Sequence, residues 1–233
     1  AVELITGGSG DDVLTVTDGT FATIDGGEGF DSVQLTDATG NSLLLDGVEV
    51  ITGAEGFDAV TLLDTNTAQL GIFGIEFVQG SDGADRIVGN NADTTSIFID
   101  GGLGNDNVLR GGGGNDTILG GAGIDRLEGQ NGTDILDGGS EDDVLIGGSG
   151  DDTLIGGDGD DVFVVDGGED VIDGGTGRDA LDFSASASGV EVDLSTGTLV
   201  DGEGFGDQFS SIEIVTGSDA ADTLVGSEDA DTL

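Results

Sequence analysis

The sequence predicts an all-β fold, a parallel solenoid of short strands joined by tight turns. Three observations predict it. A nine-residue glycine–aspartate unit repeats in tandem through the middle of the chain, each unit carries one apolar residue at a fixed place, and the 233 residues include 48 glycines but no proline. That balance suits many tight turns rather than a collagen-like or proline-rich disordered chain. Only 35% of the residues are hydrophobic and 4% aromatic, so a compact two-layer domain would be thinly filled. High charge with few aromatics is also the signature of disorder. Periodicity decides between the two, because a disordered chain has no reason to repeat its apolar positions.

Units begin at Gly101, Gly111, Gly120, Gly129, Gly138, Gly147 and Gly156, and each fits G-G-x-G-x-D-x-U-x with U apolar. The sixth position holds Asp106, Asp116, Asp125, Asp134, Asp143, Asp152 and Asp161, and the eighth holds Val108, Ile118, Leu127, Leu136, Leu145, Leu154 and Phe163. Starts at Gly120, Gly138 and Gly156 are evenly spaced, two units apart, and Gly174 follows at the same interval across an irregular GGEDVID from Gly167.

The amino-terminal third shows another period. GGEGFD, GAEGFD and GSDGAD start at Gly26, Gly53 and Gly80, evenly spaced at three unit lengths. Read as one long coil per period, this places Val33 over Val60, Leu35 over Leu62, Leu43 over Leu70, Leu45 over Ile72, Val48 over Ile75 and Val50 over Phe77. Val48-Glu49-Val50 then reads as strand alternation with Glu49 outward. A related phrase recurs as VELITGG at Val2, VEVITG at Val48, IEFVQG at Ile75 and IEIVTG at Ile212. Segment 183–211 contains GVEVDLSTGTL, read as an alternating strand, and units return at Gly217 and Gly226. The expected division is an amino-terminal solenoid of longer coils over 1–100 (27-residue period at 26–106), a regular roll over 101–182, and an irregular coil returning to repeats over 183–233. All three belong to one continuous solenoid, and both ends look like cuts through a longer protein.

Charge narrows the partners. Against 49 acidic residues stand four arginines, no lysine and no histidine, a net charge of −45. Nucleic acid is excluded because phosphate binding needs clustered Lys and Arg, and anionic membrane surfaces by the same sign. Direct membrane insertion is not expected, since there is no unbroken apolar run of membrane-spanning length, and no leader peptide is seen. Stacked strands lie ~4.8 Å apart, so neighbouring aspartates at one place in successive coils repel by about 0.9 kcal/mol even in water. Multivalent cations are therefore the expected partner. With no cysteine or histidine, zinc sites and nucleophile–base pairs are absent, and acids are too abundant for any carboxylate pair to suggest catalysis.

The tandem GGxGxD units resemble the repeats-in-toxin (RTX) family of calcium-binding nonapeptides. The resemblance implies a right-handed parallel β-roll with two nonapeptides per coil and multiple Ca²⁺ ions held between turns one coil apart. Ca²⁺ takes six to eight oxygens from carboxylates and carbonyls. The implied carboxylate ligands are Asp12, Asp31, Asp58, Asp85, Asp106, Asp116, Asp125, Asp134, Asp143, Asp152, Asp161, Asp179, Asp222 and Asp231. The implied carbonyl donors are Gly102, Gly104, Gly111, Gly113, Gly120, Ala122, Gly129, Asn131, Gly147, Ser149, Gly156 and Asp158. Asp116, Asp134 and Asp152 would line one edge, and Asp125, Asp143, Asp161 and Asp179 the other. Gln130 at a second position and Glu141 at a fourth would distort the turns from Gly129 and Gly138 or make them bind less tightly. Fifth-position Asp11, Asp142, Asp151 and Asp160 offer extra ligands but read first as surface charges, and Asp25, Asp100 and Asp173 as makers of turn hydrogen bonds rather than metal ligands.

The function this implies is a non-enzymatic, calcium-binding structural module of a secreted or cell-surface bacterial protein, such as a surface layer, adhesin or matrix fibre, exported by a type I system. The alternative is the export and folding portion of a secreted enzyme or toxin whose catalytic domain lies elsewhere. The expected contacts are neighbouring repeats of the same protein or like subunits, stacked end to end.

Overall fold

The computed structural model describes residues 3–17, 21–36, 41–53, 58–63, 70–200, 206–227 and 231–232. Their regular structure is all strand, in a 14-stranded and an 11-stranded sheet that form the two long faces of a parallel β-solenoid. Until the strand Ala180–Asp182 the chain alternates strictly between the faces. In the regular roll Leu127 pairs with Leu145 and Leu136 with Leu154, each two units further on. Among the described residues no helix is long and apolar enough to cross a membrane.

The amino-terminal coils follow the same plan, and here the expected 27-residue coil is corrected. Leu43 pairs with Val60 and Val60 with Val78 on the larger sheet, whereas Val33 pairs with Leu14 and Ile51 on the smaller one. Val33 and Val60 therefore sit on opposite faces, as do Leu43 and Leu70, Leu45 and Ile72, and Val50 and Phe77. The step from one coil to the next also varies: Leu70 pairs with Ile87 across a short coil, and Arg86 with Val108 across a distinctly longer one. A 27-residue period is thus about one and a half coils, and the glycine–aspartate turns at Gly26, Gly53 and Gly80 fall on alternate edges. Both faces bury the same alternation of apolar residues, so sequence alone could not separate a full coil from a coil and a half.

Two further strand readings change. Val48 is buried in a turn, the strand is Val50–Thr52, and its inward residue is Ile51 rather than Val50. GVEVDLSTGTL is not one strand but a hairpin, Glu191–Asp193 antiparallel to Thr198–Val200. The hairpin is an insertion: Ile172 pairs directly with Phe209, so the coil resumes beyond it. Val2 lies outside the described residues.

The core is a pair of inward columns. Ile99, Ile118, Leu136, Leu154 and Ile172 stack on one face, and Ile87, Leu109, Leu127, Leu145, Phe163 and Leu181 on the other. All are essentially inaccessible, and each such side chain contributes about 1.5–3 kcal/mol by leaving water. One exception to the acidic exterior lies on the smaller face. Glu128, only 5% exposed, is held by Arg110 and by Arg126 at 2.7 Å. Burial would raise its pKa, but the two guanidinium groups outweigh that and hold it below the usual value.

Candidate metal centre

Turns join the faces along two edges, and each edge carries a ladder of carboxylates. On one, the amides of Asp106, Asp125, Asp143 and Asp161 donate to Oδ1 of Asp125, Asp143, Asp161 and Asp179, at 2.7–2.9 Å. On the other, Asp116, Asp134, Asp152 and Asp170 donate to Asp134, Asp152, Asp170 and Asp207, at 2.8–2.9 Å. Each aspartate therefore caps the equivalent amide one coil earlier, and the two edges expected for the central aspartates are the two edges found.

One oxygen of each carboxylate is spent on the cap; the other is left over. Oδ2 of Asp31, Asp106, Asp116, Asp125, Asp134, Asp143, Asp152, Asp161 and Asp179 is buried without a hydrogen-bond partner. An unpaired buried carboxylate oxygen is costly, and a cost repeated at one place in coil after coil indicates a ligand. The first glycine of the turn shows where. A methyl group on Gly120 would lie 2.5 Å from the Gly138 carbonyl oxygen and 2.6 Å from Asp125 Oδ2. Gly129, Gly138 and Gly156 face the same pair of oxygens, from their own aspartates and from Gly147, Gly156 and Gly174. A slot walled by a carboxylate and a carbonyl suits a hard cation. Among the described residues no three His, Cys, Asp or Glu side chains converge on one point, so backbone carbonyls must supply the remaining donors.

Burial raises these carboxyls: Asp106 to about 8, Asp143 and Asp152 to about 7, Asp116 and Asp161 to about 6, with neighbouring ladder aspartates adding to the effect. Burial also raises Asp125, Asp134 and Asp179, with nearby Glu141 adding at Asp125 and Glu213 at Asp179. A bound cation reverses both causes by replacing lost hydration and separating like charges.

Not every expected ligand has an open oxygen. Asp85, Asp222 and Asp231 accept bonds from both the amide and the hydroxyl of the second-position serine, Ser81, Ser218 or Ser227. Asp12 Oδ2 likewise accepts the Gly8 amide, while Asp58 Oδ1 caps the Asn41 amide and also accepts from its side chain. Among the expected carbonyl donors, those of Ala122, Asn131 and Ser149 accept amides of Gly104, Gly114 and Gly132 one coil back, while those of Gly147 and Gly156 line slots.

Fifth-position residues prove to be structural. Asp142 and Asp160 accept the amides of Asp160 and Arg178 one coil later, and Asp11, Asn105, Asn115 and Asp151 do the same. A second, outer ladder thus runs against the first, so these acids are more than surface charges. Gln130 and Glu141 keep their turns by taking φ of 89° and 75°, the left-handed values glycine would supply. The ladder passes through both turns intact, so the expected distortion is absent, at a strain of about 1–2 kcal/mol each. Of the three IDGG aspartates, Asp173 accepts the Ser210 hydroxyl one coil on, a link between coils rather than within a turn.

Sequence reading missed Asp170, Asp207, Glu49, Glu76 and Glu213. Asp170 keeps the two-unit spacing from Asp152, but Val165 replaces its first glycine. Asp207 is displaced by the hairpin, far along the chain from the Asp170 amide it caps. Glu49, Glu76 and Glu213 cap the amides of Asp31, Asp58 and Asp179, so Glu49 does not simply point outward.

A parallel solenoid with oxygen-lined turns on two edges defines a metal-binding repeat module. The family model of the RTX calcium-binding nonapeptide repeat (4 copies) matches residues 3–20, 70–93, 110–145, 146–181 and 210–233, more than half of the chain. The chain belongs to the RTX calcium-binding repeat family, and its repeats bind multiple Ca²⁺ ions. No curated protein matches it.

Proposed function

We propose that this chain is a calcium-dependent structural module of a secreted or cell-surface bacterial protein, a surface layer, adhesin or matrix fibre, and that it catalyses no reaction. The observation that carries this reading is the run of buried, unpartnered Oδ2 atoms along two ladders. They leave the neutral-pH fold incomplete until a cation is supplied. Extracellular calcium is abundant enough to fill sites of ~10⁻⁴–10⁻³ M, the range of extracellular modules. Binding then contributes folding free energy directly.

The ligands we assign are Oδ2 of Asp106, Asp125, Asp143, Asp161 and Asp179 on one edge and of Asp116, Asp134 and Asp152 on the other, with Asp31 in the amino-terminal third. Facing carbonyls join them: Gly120 for Asp106, Gly138 for Asp125, Gly147 for Asp134, Gly156 for Asp143, Gly174 for Asp161, Gly47 for Asp31 and Ser211 for Asp179. A structural role is supported by where the buried acids go: apart from Glu128, which two arginines hold, they are absorbed in ladders rather than paired across a cleft. Circular dichroism of the full chain at neutral pH tests the proposal. Most of the β signal should vanish in calcium-free buffer and return at millimolar calcium, with magnesium a poor substitute because it demands tighter octahedral geometry. A central roll that stays folded without calcium at low salt would overturn it.

A further inference from the structure

Three turns are built unlike the glycine–aspartate turns. Asp46–Glu49, Phe73–Glu76 and Ser210–Glu213 each contain a residue at φ of 57–58° (Gly47, Gly74, Ser211), then a buried aliphatic residue (Val48, Ile75, Ile212), then glutamate. The geometry repeats in detail. Asp31, Asp58 and Asp179 donate their amides to Oε2 of Glu49, Glu76 and Glu213 at 2.6, 2.7 and 3.0 Å. In return, the amides of each glutamate and of the residue after it go to the carbonyl of the same aspartate. Each such turn closes the carboxy-terminal side of one glycine–aspartate turn and lends its slot the carbonyl of Gly47, Gly74 or Ser211. Its own interior holds an aliphatic side chain where the repeat turn has a glycine and an open carboxylate.

The coils carrying two of these turns also have a denser core. Among the described residues, ten buried apolar side chains lie between Leu43 and Val78, against nine in the much longer stretch from Ile118 to Leu181. A regular coil buries one apolar residue per strand, for example Leu145 and then Leu154, whereas the strand Ser42–Asp46 alone buries Leu43 and Leu45. The central coils combine a thin core with an unpaired carboxylate oxygen at turn after turn, the amino-terminal ones a thick core with few.

We infer that the solenoid contains two kinds of rung, and that the block from Leu43 to Val78 holds its fold without calcium. The three glutamate turns act as stops where a calcium ladder ends against an apolar plug. In calcium-free surroundings the block stays folded and presents the parallel edge of Phe77–Gln79. The coils from Phe98 onward add to that edge as calcium arrives, since Phe98, Ile99 and Asp100 pair directly with it. The inference rests on the calcium-driven folding of the central roll proposed above.

Hydrogen–deuterium exchange of the full chain, with and without calcium, tests both ideas separately. In calcium-free buffer at neutral pH, peptides within 43–62 and 70–79 should exchange at least about 100-fold more slowly than in denaturant, while peptides within 117–176 exchange as unfolded chain. Loss of protection in both regions would overturn the two-rung inference but leave the calcium reading standing. Protection of both would overturn the calcium reading instead. A second arm uses V48G/I75G, which removes two plugs. Residues 43–79 should then lose protection without calcium and regain it with calcium, and an unchanged calcium-free pattern would refute the role given to the plugs.

Discussion

Asp143 does two jobs with one carboxylate: Oδ1 caps the Asp125 amide at 2.8 Å, and Oδ2 stands buried and unpaired. The jobs can be separated. Asp143→Asn keeps the cap and turns the open oxygen into an amide that can donate to the Gly156 carbonyl. It should favour the calcium-free fold and raise the calcium midpoint of the central roll roughly tenfold, about 1.4 kcal/mol. Asp143→Ala also orphans the Asp125 amide and should cost a further ~1–3 kcal/mol in the calcium-loaded state, measured by thermal or denaturant unfolding. The same carboxylates set a pH dependence. Their folded-state pKa values, about 6 to 8 for five of them, lie above the unfolded value near 3.9. Protonation therefore favours the calcium-free fold, fully below about pH 4, and the benefit is lost as pH rises through 6 to 8. Calcium-free protein should show more β signal at pH 4 than at pH 8, and apparent calcium affinity should climb between pH 6 and 8 as ions displace protons. A calcium midpoint that does not move over that interval would contradict the raised values.

At the scale of the turn, glycine serves two separate needs. Gly120 is at an ordinary φ, and what it supplies is space: its missing side chain is the slot itself. Gly120→Ala should thus abolish one calcium site and, with its methyl 2.5 Å from the Gly138 carbonyl oxygen, push the neighbouring turn away, seen as one ion fewer by calorimetry together with a less cooperative melt. Gln130 illustrates the other need, because it sits at φ 89° with a side chain. Gln130→Gly should raise the stability of the calcium-loaded roll by about 1 kcal/mol, less the value of an exposed contact to Asn91. A drop in stability would mean that this contact outweighs the strain. These turns were legible in sequence because glycine and aspartate recur at fixed offsets. The glutamate turns were not, although VEVITG, IEFVQG and IEIVTG stand out as a recurring phrase. Their aspartate-equivalent is a longer acid in a shorter turn, and only the backbone shows that its carboxylate reaches the same place.

Across the whole molecule, a net charge of −45 makes cations part of the structure rather than an addition to it. Without calcium the central coils repel one another, and the chain should swell toward the radius of an unfolded chain of this length, about 50 Å. Small-angle scattering should show a sharp contraction on adding millimolar calcium and little with magnesium at equal ionic strength. Equal contraction with both ions would point to simple screening rather than site binding. The hairpin Glu191–Val200 does not interrupt the assembly, because the Asp170 amide still finds Asp207 across it and the ladder continues.

The sequence by itself determined the solenoid, the nine-residue unit, the two aspartate edges of the central roll and the hard-cation chemistry. All of these are one-dimensional regularities, in which a position in the repeat is also a position in space. Only the tertiary structure decided the length of the amino-terminal coils, the inward role of Ile51, the outer ladder of fifth-position side chains and the capping by Glu49, Glu76 and Glu213. These depend on which residues lie one coil apart. Where coil length drifts, as it does between the Leu70–Ile87 and Arg86–Val108 pairings, sequence spacing no longer reports that neighbour, and the hydrogen bonds between coils do.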